Sequence, residues 1–141
     1  MGDSKKNKVH IYLKFYDFNV HPDEISKALK LEPTRKGLKG EKYLIGNKNK
    51  REQIYKWNYW ELGKKFEIGD RWVQEFIDEF VNEIIEPNKG EIKKVIKKGD
   101  GEFSVVPYFY SEANPGFFFE SSSIDILSAA NLSFNLDIYS L

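Results

Sequence analysis

Residues 9–16 read "VHIYLKFY" and alternate without a break. Val9, Ile11, Leu13 and Phe15 fall on one side of an extended chain, and His10, Tyr12, Lys14 and Tyr16 fall on the other. Strict period-two alternation of branched and aromatic residues predicts a strand with one buried face. Residues 132–139 repeat the pattern: Leu132, Phe134, Leu136 and Ile138 alternate with Ser133, Asn135, Asp137 and Tyr139. Both strands put apolar residues on one face and tyrosine with polar groups on the other. Some of what lies between must cover the apolar face.

Much of the intervening chain reads as helix. After the first strand, Pro22 suits a first helical turn, Asp23 and Glu24 favour the positive helix end, and Ile25, Ala28 and Leu29 form a stripe that Pro33 terminates. The strongest helix spans residues 70–85, with Asp70 as N-cap. Trp72, Val73, Phe76, Ile77, Phe80, Val81, Ile84 and Ile85 face inward there, with Glu75, Asp78, Glu79 and Glu83 outside. Pro87 is expected to break this helix, and a shorter one follows with Ile92, Val95 and Ile96 inward. Residues 103–110 predict a strand that Pro107 places at an edge or bulge. "ANPG", residues 113–116, is a turn from which residues 117–120 return to close a hairpin. Ser122 is expected to cap a last helix carrying Ile124, Leu127 and Ala130, ended by Asn131 in the left-handed conformation.

Two segments are less regular. Residues 34–54, with Gly37, Gly40, Gly46 and many lysines, read as a long basic loop interrupted by a short strand at 43–45. Residues 54–63, "IYKWNYWELG", hold two of the three tryptophans. As a strand over 55–62 they send Trp57 and Tyr59 to one face and Trp60 and Leu62 to the other. The order of elements predicts an α+β fold: a mixed, largely antiparallel sheet of about five strands with helices mainly on one face, an elaborated ferredoxin-like arrangement. Residues 1–8 read as a flexible tail and residues 9–141 as a single domain.

Composition narrows the class. With 141 residues, 40% of them hydrophobic and 16% aromatic, the chain is long and apolar enough to bury a core. The absence of cysteine excludes disulfides and thiolate zinc sites. No apolar run suits a membrane span and the N-terminus does not resemble a signal peptide, so a soluble cytoplasmic protein is expected. Frequent Lys, Asn and Ile suit an AT-rich bacterial genome. The formal net charge of zero hides an asymmetry. Residues 35–56 hold eight Lys and Arg against Glu41 and Glu52, while residues 70–86 hold six carboxylates against Arg71. Such a dipolar chain steers its partners.

Catalytic and metal signatures are missing, and neither catalytic residues, metal nor cofactor are expected. The only histidines are His10 and His21, and Ser121, Ser122 and Ser123 precede a helix, where capping is their ordinary role. His21 lies four residues after Asp17, which would orient a base; a histidine at a helix start is the favoured reading. The basic segment, with Tyr43, Tyr55 and Trp57, offers phosphate contacts and stacking. Zero net charge, the acidic helix and the lack of a binding motif nevertheless disfavour nucleic acid.

Three pieces of the chain carry a family likeness: "FYDFNVHPDEISKALKLEPTRKGLKGE", "YWEL" and "NPGFFFESSSIDILSAANLSFNLDIY". They resemble a bacterial family of unknown function, DUF4279, over residues 9–139. The resemblance implies the fold and its boundaries, points to Pro33, Thr34, Gly40, Glu41, Trp60, Asp137 and Tyr139, and implies no activity. The sequence departs from the family pattern at Asn131, where glycine is common, and in its longer basic loop.

Two functional readings follow. His10, Tyr12, Lys14, Tyr16, Asp137 and Tyr139 give the sheet a second face of recognition-surface composition, unless the 34–54 loop covers it. That face suits a non-enzymatic protein-binding module. An immunity or antitoxin-type role against a toxin is its concrete version, and self-pairing as a weak homodimer is a further expectation. The alternative is a site for a small anionic ligand, or an enzyme, between the sheet and the 34–54 loop. Trp60 would stack there, Asp137 would anchor beside Tyr139, and Arg35 or Lys36 would hold the anion. Gly40, in "GLKGEK", is a candidate anion cradle.

Overall fold

The alternation of residues 9–16 is realised in full: Val9, Ile11, Leu13 and Phe15 are completely buried, and every residue between them is half-buried on the opposite face. The computed structural model describes residues 5–45, 51–110 and 116–141. Along the chain run β1 (Lys8–Tyr16), α1 (Pro22–Leu29), β2 (Arg35–Gly37), β3 (Lys42–Ile45), β4 (Arg51–Ile54) and β5 (Tyr59–Glu67). Then come α2 (Val73–Phe80), a π-helical turn (Val81–Ile85), α3 (Glu86–Ile96), β6 (Asp100–Phe109), α4 (Ser121–Ala129), β7 (Ser133–Leu136) and β8 (Tyr139–Ser140).

β1 sits at the centre, antiparallel to β5 on one side and to β6 on the other. The sheet order is β2-β5-β1-β6-β7, with β8 also on β6. It is a mixed sheet of six strands, because β7 and β8 run parallel to β6. Since β5 and β6 both oppose β1, they are parallel to each other with β1 between them. The α2–α3 segment joins them as the split β-α-β unit of a ferredoxin-like arrangement. Helices cover the face that carries Ile11, Leu13, Phe15, Trp60, Leu62, Phe103 and Val105. β3 and β4 form a separate two-stranded ribbon.

Trp60 shows how the core is closed. Its side chain is fully buried, its ring lies 5.5 Å from that of Phe15, and its indole N–H donates to Ser26 Oγ at 3.0 Å. One residue thereby packs β5 against β1 and ties both to α1. At the start of α1, His21 Nδ1 accepts the Asp23 backbone N–H at 3.1 Å, so His21 is the cap. Asn58 clamps the loop after β1, donating to the carbonyls of Phe18 (2.8 Å) and Val20 (3.2 Å).

Several expectations are corrected. Residues 34–54 hold more regular structure than expected: the short strand at 43–45 is present as β3, and β2 and β4 lie there as well; residues 46–50 fall outside the described set. The aromatic strand starts at Tyr59 rather than Tyr55, which leaves Trp57 in a turn, 48% exposed. Trp72 is also exposed and precedes α2. Its N–H is held by Glu75 Oε2 at 2.7 Å, so Asp70 is not the N-cap. Pro87 does not break the helix. The preceding turn widens so that Glu86 N–H reaches the Val81 carbonyl, five residues back, which relieves the clash a proline makes with a regular α-turn. Ala28 and Ile124 face solvent.

Pro107 does not mark an edge, because β6 is paired on both sides. The Asp137 and Leu141 N–H groups donate to the Val105 and Phe109 carbonyls, so odd residues of β6 turn their backbone polar groups towards β7 and β8. The nitrogen of Pro107 faces the gap where β7 gives way to β8, and no ladder bond is lost there. The returning strand of the expected hairpin is not formed: residues 117–120 have no regular structure, and most of the expected turn lies outside the described residues. Ser122 does not cap α4. Glu120 holds the N-cap position without a side-chain bond, and buried Ser123 donates to Asp78 Oδ1 at 2.7 Å. β1 begins at Lys8, and Asn7 before it already accepts the Ile68 and Tyr110 N–H groups.

Trp60→Ala should therefore lower the unfolding free energy by about 3–5 kcal/mol, the cost of emptying a buried aromatic site. Urea denaturation followed by circular dichroism measures it. A loss under about 1 kcal/mol would place Trp60 outside the core.

Candidate binding groove

The face of the sheet turned away from the helices carries His10, Tyr12, Lys14 and Tyr16 from β1, and Tyr59, Glu61, Gly63 and Lys65 from β5. β6 adds Glu102, Ser104, Val106 and Tyr108. At the end near β2 this face meets the β3–β4 ribbon, and a groove of about 520 Å³ opens between them. Tyr16, Tyr59, Lys14 and Glu102 form its floor, and Tyr43, Ile54, Tyr55 and Trp57 supply its aromatic and apolar wall. Arg35 and Lys56 also line it, so three cations face one carboxylate.

Arg35 organises the wall. Its guanidinium carbon lies 4.9 Å from the Tyr43 ring centre and 5.5 Å from those of Tyr55 and Tyr59, and its Nε donates to Tyr55 Oη at 3.1 Å. Each such cation–π contact contributes about 0.5–1 kcal/mol at an exposed site. Burial alone would lower the Arg35 pKa, but the Tyr55 bond and the nearby Tyr59 and Glu61 oxygens outweigh it and the net shift is upward. The ring centres of Tyr43 and Tyr55 are 4.3 Å apart, and those of Tyr16 and Trp57 are 6.0 Å apart.

Gly37 makes this packing possible. A Cβ there would come within 2.2 Å of the Tyr55 ring, so any side chain on β2 at that point would push Tyr55 away. The ribbon is joined at its base by Gly40 N–H to the Tyr55 carbonyl and Tyr55 N–H to the Glu41 carbonyl, both at 2.9 Å. Glu41 Oε1 closes the turn by accepting the Leu38 N–H.

The open face continues beyond the groove. Tyr12 lies against Gly63, where a Cβ would approach its ring to 2.7 Å, with Lys14 Nζ 5.0 Å from the ring centre. His10 Nδ1 is 3.2 Å from the Tyr12 hydroxyl and its ring is 4.8 Å from Tyr108, which stacks on Tyr139 at 5.1 Å. Burial, then the Glu61 charge and Tyr108, pushes the Tyr12 phenol up to about 12. Burial and a 2.5 Å bond to Glu61 push Tyr59 higher still. Burial, then Lys65 and Lys8, lowers the His10 pKa.

Of the seven residues offered from sequence as the binding site, only Arg35 lines the groove, and Tyr12 lies on the same face beside it. Lys36 points to the other side of β2, where Nζ meets Asp23 Oδ1 at 2.6 Å. Gly40, with φ of 92°, supports the ribbon base. Trp60 belongs to the core, and Asp137 and Tyr139 sit at the opposite sheet edge, four strand spacings or about 19 Å from β2. These residues therefore do not share one pocket. Tyr43, Tyr55 and Trp57, offered by the sequence as stacking residues, do converge. Sequence reasoning gave Gly37 no role beyond the loop, and it set Tyr16 on this face without deciding which aromatics of residues 55–62 join it there. Among the described residues, no group of three or more His, Asp or Glu is arranged to hold a metal, and no helix is long and apolar enough to cross a membrane.

An α+β sheet with one helix-covered face and one open aromatic face is the class defined by these features. Residues 7–141 match the family described as Domain of unknown function (DUF4279), and the chain belongs to that family. No curated protein and no solved structure matches it.

Tyr12 and Tyr59 should ionise well above the ordinary range of a phenol. A phenol whose folded pKa exceeds its unfolded value of 10 stabilises the fold fully below pH 10 and loses that contribution as pH rises through the folded value. Unfolding free energy should thus fall between pH 10 and about 12, and Tyr12→Phe should flatten the decline. Phenolate absorbance with parallel denaturation at each pH checks both. An unchanged slope in the variant would rule out Tyr12 as its source.

Proposed function

We propose that this protein is a non-enzymatic binding module whose groove holds a flat molecule bearing an anionic group. The observation that supports it is the convergence of Tyr16, Tyr55, Trp57 and Tyr59 with Lys14, Arg35 and Lys56 in a space of about 520 Å³, within the range of small-ligand sites. Tyrosine and tryptophan rings offer stacking surfaces, worth about 1–3 kcal/mol per stacked ring in comparable sites. The cations add charge-assisted hydrogen bonds of about 1.5–3 kcal/mol each. Arg35 is the anion-holding residue in this reading, and its planar fork suits a carboxylate or phosphate.

A second reading has another protein, such as a toxin met by an immunity-type function, docking on the whole open face. It is favoured by the aromatic run His10, Tyr12, Tyr108 and Tyr139, which reaches well past the groove. A cytoplasmic, bacterial setting would suit it.

Trp57 gives a direct readout, because the other tryptophans, Trp60 and Trp72, do not line the groove. Titration with naphthoate and with phenyl phosphate should quench the Trp57 fluorescence, and Trp57→Phe should remove the signal. Arg35→Ala should weaken binding about 10-fold or more, and raised salt should weaken it in the parent protein. Absence of any binding by both anions at millimolar concentration would dispose of the small-ligand reading. Capture of a partner protein that is lost with Tyr108→Ala but unaffected by the anions would favour the second.

A further inference from the structure

We infer that β7 is the seam of a homodimer, in which two copies pair these strands antiparallel about a two-fold axis passing through Asn135. The direction of the backbone groups sets the geometry. Val105 is opposite Leu136, and its carbonyl accepts the Asp137 N–H at 3.0 Å. In a parallel ladder this turns the polar groups of Asn135 and Asp137 towards β6, and those of Phe134 and Leu136 outward. Among the described residues, no strand pairs with that outer row.

The two edges of the sheet are unlike. At the β2 edge the strand is three residues long and carries Arg35 and Lys36, the second held by Asp23. Short, charged edges discourage strand addition. Residues 132–141, by contrast, contain a single charge, Asp137, and no lysine, arginine or proline. Phe134, Leu136, Ile138 and Leu141 on this segment are between 36 and 67% exposed. At about 200 Å² per large side chain these four expose roughly 400 Å² of surface. A standard interface buries about 800 Å² per partner, a figure that the β7 backbone and the rims of the flanking elements would bring within reach.

A second copy fits this edge because the edge is complementary to itself. With the axis at Asn135, Phe134 of each copy faces Leu136 of the other as a hydrogen-bonded pair, and four backbone bonds form. Each Phe134 side chain then packs on a leucine across the strand, a favourable aromatic–aliphatic pair. Asp137 is opposite Ser133 of the other copy, so the lone charge does not meet itself. The two sheets become continuous, and the groove at the β2 end of each stays clear of the seam. This inference therefore stands or falls separately from the ligand reading.

The absence of cysteine makes a clean test available. Asn135 faces its own copy as a non-hydrogen-bonded pair, with Cα atoms about 4.5 Å apart, within disulfide range. Asn135→Cys should cross-link to a covalent dimer under mild oxidation, while Ser122→Cys, exposed on α4, should not. Light scattering of the parent protein should give the dimer mass, insensitive to salt. Leu136→Lys should halve that mass with an unchanged circular dichroism spectrum. A monomer mass for the parent at every concentration from micromolar to millimolar overturns the inference. So does a dimer that survives Leu136→Lys, or one in which the cysteine at 122 cross-links as fast as the one at 135.

Discussion

The fold depends on one constraint: β1 must be hydrogen-bonded along both edges while only one of its faces is buried. Antiparallel partners on either side satisfy its backbone groups, and four completely buried side chains fix its parity. A shift of one residue would carry Val9, Ile11, Leu13 and Phe15 into the open face and His10, Tyr12, Lys14 and Tyr16 into the core. Burying those polar groups without partners costs several kcal/mol, so the register has no near competitor. The same parity decides the open face. Each residue that builds the core forces its neighbour onto the surface where the groove lies, and core and open face are therefore written by one strand.

The elements legible in the sequence are those whose period is imposed by burial on one side: β1, α1, α2 and the inward stripe through Ile85. β6, α4 and β7 were also placed close to where they lie, and what was missed depended on compensation from distant parts of the chain. Pro87 stays within a continuous helix because the turn before it widens, and Pro107 sits in a central strand because its partner strand breaks opposite it. Nothing local to either proline announces these solutions. β2 and β4 are three or four residues long and mostly exposed, so no hydrophobic period marks them. Within the aromatic stretch the parity was readable, since Trp60 shares a face with Leu62 and both are core. The start of the strand was not, and it decides that Trp57 is left in the turn at the groove.

Most of the residues singled out by the family likeness turn out to be joints. Thr34 Oγ1 accepts the Gly63 N–H at 2.9 Å and donates to the Glu61 carbonyl, fixing the chain just ahead of β2 to β5. Gly40 and Glu41 close the base of the ribbon, and Trp60 locks α1 to the sheet. Asp137 holds the turn out of β7 through its backbone bond to Val105. None of these five lines the groove. A likeness carried by such positions speaks for the scaffold, and it does not include the side chains that line the groove.

Arg35 links the scaffold to the groove. Three tyrosine rings and one hydroxyl hold its guanidinium in place, and among the described residues only Nε is bonded. A guanidinium carries five donors, so the edge away from Tyr55 retains the paired N–H groups that meet a carboxylate or phosphate two at a time. Its rotamers are already restricted by the contacts that fasten the ribbon to the sheet. The ordering cost that a free arginine would meet on binding, of order 0.5–1.5 kcal/mol for a long side chain, is thus met in folding. The same contacts that hold the β3–β4 ribbon down give the groove a fixed cation, which is why the ribbon, though scarcely buried itself, shapes what the open face can hold.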